Sequence, residues 1–180
     1  MQRTQLHQTL KIFVRVAVVL VTLCGATAAF AQEDAAAMNR LNEEGFIEFR
    51  AGRYVEAAAR FRAAYEAFPD PNLRKNEAVA WFKAGQCDNA IPAANSFLMA
   101  AEAGDADRLE ARSILANCRV EMARAAIKSE NLELAETLLD EAESLDPDQY
   151  ARDQIAIARV ELSERKSSNR GAHGARPSVA

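Results

Sequence analysis

From Ala36 to about Lys166 the apolar residues recur three and four positions apart, the spacing of a helix face, and nothing in that span alternates with the two-residue period of a strand. Breakers interrupt the pattern at "AGR" (51–53), "FPDP" (68–71), "AGQCD" (84–88), "AGDAD" (103–107), "SEN" (129–131) and "LDPD" (145–148). The chain therefore reads as all-α: short helices joined by tight turns, with a longer helix from about Ala106 to Lys128. Asp70-Pro71 and Asp88 have the form of helix starts, with Asp as N-cap and Pro at the first helical position. Pro92 is expected in or near the first turn after Asp88, where a missing N–H costs little.

Three segments repeat one packing rule. Aligned on Ala57, Ala90 and Ala135, each carries a small residue twelve positions earlier: Gly45, Ala78 and Ala123. Three positions before the anchor stand Tyr54, Cys87 and Leu132; four positions after it come Phe61, Ala94 and Leu139, and seven after it Ala64, Phe97 and Ala142. Pro69 and Pro147 close the outer two copies, twelve positions on. Trp81 takes a large core position in the second copy.

These residues resemble the tetratricopeptide repeat (TPR), a helix pair of about 34 residues in which small side chains sit at helix crossings and large ones fill the space between. The first two anchors are 33 residues apart and the next two 45, the excess falling in the long 106–128 helix. The resemblance implies antiparallel helix pairs stacked as a short right-handed solenoid over residues 38–149. A pair cannot bury its own apolar face, so each leans on the next. The amphipathic segment 150–166, with Tyr150, Ile155, Ala158 and Leu162 near one side, is expected to cap the last pair. Residues 32–37 read as a linker and 167–180, rich in Gly, Ser and Arg, as a disordered tail. Three repeats are the usual minimum for an autonomous array, so self-association through the long helix stays open.

Arg3, Lys11 and Arg15 precede an apolar run from Val16 to Leu23, and Ala29-Phe30-Ala31 follows. That is the pattern of a secretory signal peptide over residues 1–31. Leu23 stands where a lipoprotein signal has a small residue, which argues against lipid anchoring at Cys24. The implied location is the periplasm of a Gram-negative bacterium, with membrane association peripheral if there is any. Without the leader the chain holds 19 basic against 26 acidic residues, a net charge of −7, which argues against nucleic acid as partner. His7 leaves with the leader and His173 lies in the polar tail, so the repeat region holds no histidine and none of the chemistry that needs one. No catalytic residue, metal site or cofactor is expected. The acidic clusters Glu43-Glu44, Asp140-Glu141-Glu143 and Asp146-Asp148 lack the loop that binds calcium. A hydrolase acting through carboxylates alone would need acids facing one another across a pocket.

Cys87 and Cys118 are symmetric about the "AGDAD" turn, so two antiparallel helices folded there bring them to the same height. In an oxidising compartment such a pair is expected to bond; the alternative is two buried thiols.

In TPR arrays the first helix of each pair lines a concave groove that receives peptides or helices of partner proteins. The resemblance carries that role onto Asn42, Phe46, Phe49 and Arg50 in the first repeat, Lys75, Asn76 and Lys83 in the second, and Arg124 in the third. It carries the groove role onto Asn39, Asn117 and Lys128 of the same helices as well. Phe46 and Phe49 would be the apolar anchors. The face reads as more basic than the whole, which favours an acidic or carboxylate-bearing segment. The carboxylate clamp known in the family is not expected, because only Asn76 matches it: Phe46 stands where an Asn belongs, and Glu121 where a basic residue belongs. The function implied is non-enzymatic: a protein–protein interaction scaffold or adaptor of the cell envelope. The alternative is a structural subunit of an envelope or outer-membrane assembly that touches its partners through its convex face or termini.

Overall fold

The computed structural model describes residues 33–100 and 104–174, so the leader and Cys24 lie outside the described residues. Among the described residues all regular structure is α-helical: α1 (33–50), α2 (Tyr54–Ala67), α3 (Pro71–Lys83), α4 (Cys87–Leu98), α5 (Asp105–Lys128), α6 (Leu132–Ser144) and α7 (Gln149–Gly174). Each helix packs on its neighbour in sequence, and α3 and α7 also reach α5. The architecture is a stack of antiparallel pairs, α1/α2, α3/α4 and α5/α6, closed by α7.

One turn joins the helices within each pair. The chain ends α1, α3 and α5 on a left-handed residue: Gly52 at φ 76°, Gly85 at φ 70° and Glu130 at φ 62°. In each the next N–H reaches back five residues, Arg53 to Glu48, Gln86 to Trp81 and Asn131 to Ala126, at 2.9–3.0 Å. This closes the helix end and frees the chain to reverse. Only the third copy places a residue with a Cβ there. Between pairs, Asp70 caps α3 by accepting from Asn72 N–H at 2.8 Å, with Pro71 as the first helical residue. α4 begins two residues earlier than expected, with Gln86 before it and Asp88 in its first turn, where a carboxylate complements the macrodipole. Pro92 thus sits inside α4, past the first turn, on an exposed face.

Two segments differ from the expectation. The linker 32–37 is helical from residue 33, where Glu33 and Asp34 suit a helix start and Ala35–Ala37 are strong helix formers. The tail is helical as far as Gly174. Ser167 and Ser168 fold their hydroxyls onto the carbonyls of Ser163 and Glu164 at 2.9 and 3.0 Å, so this end is held by its own backbone, with no side chain buried from Ser163 to Arg170. The remainder, 175–180, lies outside the described residues.

The packing rule is realised at every crossing. Ala57, Ala90 and Ala135 are fully buried, as are Ala78 and Ala123, and Gly45 is buried beside them. A Cβ on Gly45 would stand 2.6 Å from the Phe61 ring, so only glycine lets α1 approach α2 there. The interior divides in two. One core joins α2, α3, α4 and the first half of α5 through Phe61, Trp81, Phe97, Ile114 and Leu115. The other joins the second half of α5 to α6 and α7 through Val120, Ile127, Leu139, Ile155 and Leu162. α5 is 24 residues long because it serves both. Trp81, 7 % exposed, is core as expected.

A disulfide joins Cys87 to Cys118, with their Cα atoms 5.3 Å apart, and ties the start of α4 to the middle of α5. Glu77 of α3 is fully buried in the first core. Its carboxylate accepts from Arg62 at 2.7 Å, from Arg74 at 2.5 Å and from the Trp81 indole at 3.2 Å. The two guanidiniums lie over the rings of Trp81 and Tyr65. A buried carboxylate persists only when so completely satisfied.

The acidic clusters clip helices together. Arg159 of α7 bonds Asp140 and Glu143 of α6 at 2.8 and 2.7 Å. Its pKa lies above the ordinary arginine value, chiefly because Asp140 hydrogen-bonds the charged form. Arg119 reaches Glu141 at 2.7 Å, and Arg60 reaches Glu44 at 3.5 Å.

Candidate functional site

α1 presents Asn42, Phe46 and Phe49 at intervals of four and three, so all three lie on one face. Phe46 stacks edge-on against Phe61 with ring centroids 5.1 Å apart, yet remains 39 % exposed. Phe49 meets Tyr54 in the same way at 5.1 Å. Because Phe61 fills the space over Gly45, it supports the Phe46 ring from below and holds it toward solvent.

Facing these rings, the first turns of α3 supply Lys75, Asn76 and Val79, and α5 supplies Glu110 from its second turn. Together they enclose an open concavity of about 240 Å³, with Phe46, Phe49 and Phe61 as its aromatic wall. The structure thus brings together Phe46, Phe49, Lys75 and Asn76. The Asp70 cap and the Glu77 network fix α3 at both sides of Lys75 and Asn76, so these two project from a rigid element.

The other four residues lie elsewhere. Arg50 and Lys83 are exposed at the C-terminal ends of α1 and α3, where a positive charge complements the helix dipole. Arg124 is engaged by Glu121 at 3.1 Å, by Glu161 at 3.5 Å and by the Gln154 side chain at 3.2 Å, between α5 and α7. Asn42 sits one turn before Phe46, its Oδ1 buried with no hydrogen-bond partner among the described residues. Of the further residues on these helices, Asn117 is buried and donates to the Ser113 carbonyl at 2.8 Å, while Asn39 and Lys128 are exposed.

The electrostatics of the concavity differ from the basic face read in the sequence. Lys75 has only 18 % of its side chain exposed; it forms an ion pair with Asp107 and lies 3.7 Å from Glu110. The acids remain the accessible partners, with 41 % and 51 % of their side chains exposed. The lining therefore holds one half-exposed carboxylate, Glu110, beside one covered ammonium that is already paired with Asp107. Val79 follows Lys75 by one turn and could have been read from α3 alone. Asp107 and Glu110 could not, because the stretch 106–116 falls outside the repeat register and no repeat position points to it.

A second depression, of about 400 Å³, lies between α5 and α7 and is lined by Ile127, Lys128, Glu161, Glu164, Arg165 and Ser168. It is larger but offers one apolar side chain, and Arg165 is paired with Glu130 at 3.3 Å. The aromatic wall makes the α1/α3/α5 groove the stronger candidate site.

No family model and no curated protein matches the chain. Solved structures do match its fold. The TPR domain of Sgt2 from Aspergillus fumigatus superposes with a TM-score of 0.50 at 20 % identity, over 79 % of this chain and 86 % of that one. The first TPR domain of human RPAP3 gives a TM-score of 0.50 at 22 % identity, over 73 % of this chain and 97 % of that one. The fold is that of a TPR solenoid.

Proposed function

We propose that the protein is a non-enzymatic interaction scaffold that receives a peptide segment or helix of a partner protein in the α1/α3/α5 groove. The observation that carries this reading is the partly exposed Phe46 ring, held toward solvent by Phe61 at the edge of a concavity built from three helices of a rigid stack. A preformed groove of this kind binds without a large ordering cost. Export to the periplasm is part of the proposal: the leader pattern over residues 1–31 supports it, and a bonded Cys87–Cys118 pair suits an oxidising compartment.

The alternative, a subunit of an envelope assembly that binds through its convex face or termini, has one observation in its favour. α7 exposes Tyr150, Ile157 and Val160, at 64 %, 48 % and 57 %, and α6 exposes Leu134 at 45 %. A photo-crosslinking amino acid placed in turn at Asn76 and at Leu134, in cells of the protein's own source, separates the two. The proposed function gives a discrete crosslinked partner from position 76 and none from 134. The reverse pattern overturns it.

A further inference from the structure

We infer that the segment this groove accepts carries an aromatic or large aliphatic side chain next to a lysine or arginine, and not next to a carboxylate. The inference rests on the reading of the groove as the binding site and names the chemistry of what enters it.

The apolar requirement follows from the wall. Phe46 and Phe49 present ring faces and edges beside Val79, over a space of about 240 Å³, large enough for one bulky side chain. A ring inserted there makes edge-to-face contact with Phe46, the arrangement Phe46 already has with Phe61 at 5.1 Å.

The charge requirement follows from who is covered and who is not. Lys75 faces the groove from α3, but its ammonium is held by Asp107 and approached by Glu110 from α5, and it is the least exposed of the three. On the α1 side Glu43 and Arg50, both exposed, stand one turn before and one turn after Phe46 and offset each other, while Glu44 is spent on Arg60 at 3.5 Å and Arg40 at 3.8 Å. Lys83 lies at the end of α3, two turns from Lys75. An incoming carboxylate would have to share the covered Lys75 ammonium with Asp107 while lying beside Glu110. An incoming ammonium or guanidinium meets Glu110 directly and leaves the existing pair intact. Complementarity therefore favours a cation, through a charge-assisted hydrogen bond to a half-exposed carboxylate.

Two small probes with the same ring and opposite charge test this: 2-phenylethylammonium and 3-phenylpropionate, each titrated into the isotope-labelled protein and followed by amide chemical shifts. Both are expected to move the signals of Phe46, Asn76 and Val79, with the amine binding about three- to tenfold more tightly at low salt. Glu110→Gln should reduce that preference. The double variant Asp107→Asn with Glu110→Gln, which uncovers Lys75, should invert it; the spread of the remaining signals reports that each variant is folded. Equal or tighter binding of the acid to the unaltered protein overturns the charge assignment and leaves the groove standing as a site. If neither probe moves these three signals at tens of millimolar, the reading of the groove itself falls, and this inference falls with it.

Discussion

The two halves of α5 face interiors of different kinds. Its first half enters a core with Phe61, Trp81 and Phe97, a fully buried carboxylate and a disulfide. Its second half enters a core of Ala, Leu, Ile and Val, held at the surface by ion pairs such as Arg159 with Asp140 and Glu143. Aliphatic side chains alone suffice to stack helices. The buried carboxylate follows Lys75 and Asn76 directly on α3, and the disulfide ties α4 to α5, the helix that supplies Glu110. In this molecule the covalent link and the buried carboxylate belong to the core that carries the proposed groove, while the second core closes the stack.

The largest expected break of this contrast comes from the disulfide. Its loop of 31 residues constrains the unfolded chain by about 3–4 kcal/mol, so Cys87→Ser with Cys118→Ser should lower stability by that order in denaturant titration. Amide exchange should quicken more in α4 and the first half of α5 than in α6. Equal acceleration along the whole chain would show one undivided core.

Next in size is Glu77→Ala. Arg62 and Arg74 keep 44 % and 21 % of their side-chain exposure and can turn toward water, so the loss falls below that of a wholly buried pair, at about 2–3 kcal/mol. Glu77→Gln, which keeps the shape and two of the contacts, should lose less. A change under about 0.5 kcal/mol in Glu77→Ala would mean that the buried network is not what orders the first core.

The smallest effect sharpens the comparison from the other side. Glu130 occupies the left-handed position that Gly52 and Gly85 hold in the first two pairs. Glu130→Gly should relieve that backbone and raise stability by about 0.5–1 kcal/mol, less the small contribution of its exposed pair with Arg165. A loss of stability would show that the third turn is held by the ion pair and not limited by its backbone.

Much of this fold was legible because TPR-like packing is a rule about residue size. Gly45, Ala57, Ala78, Ala90, Ala123 and Ala135 mark the crossings in the sequence, and each is buried. The cysteine pair was legible from its symmetry about one turn. Helix ends were less so: Ser167 and Ser168 extend α7 by local hydrogen bonds that leave no apolar period to read. Glu77 was readable in principle, since it sits one turn after Leu73 and one before Trp81, on a row whose other members are buried. The charge of the groove was not readable. It depends on Asp107 and Glu110 reaching Lys75 across 32 and 35 residues of sequence, from a helix that breaks the repeat length.

Partners are proposed to enter between α1, α3 and α5. The most direct measurement is to select binding peptides from a random displayed library, titrate the tightest one into the isotope-labelled protein, and map the amide shifts onto the fold. Shifts are expected to centre on Phe46, Phe49, Asn76, Val79 and Glu110, with α6 and α7 unchanged. Shifts centred on Leu134, Ile157 and Val160, with the groove unmoved, would contradict it.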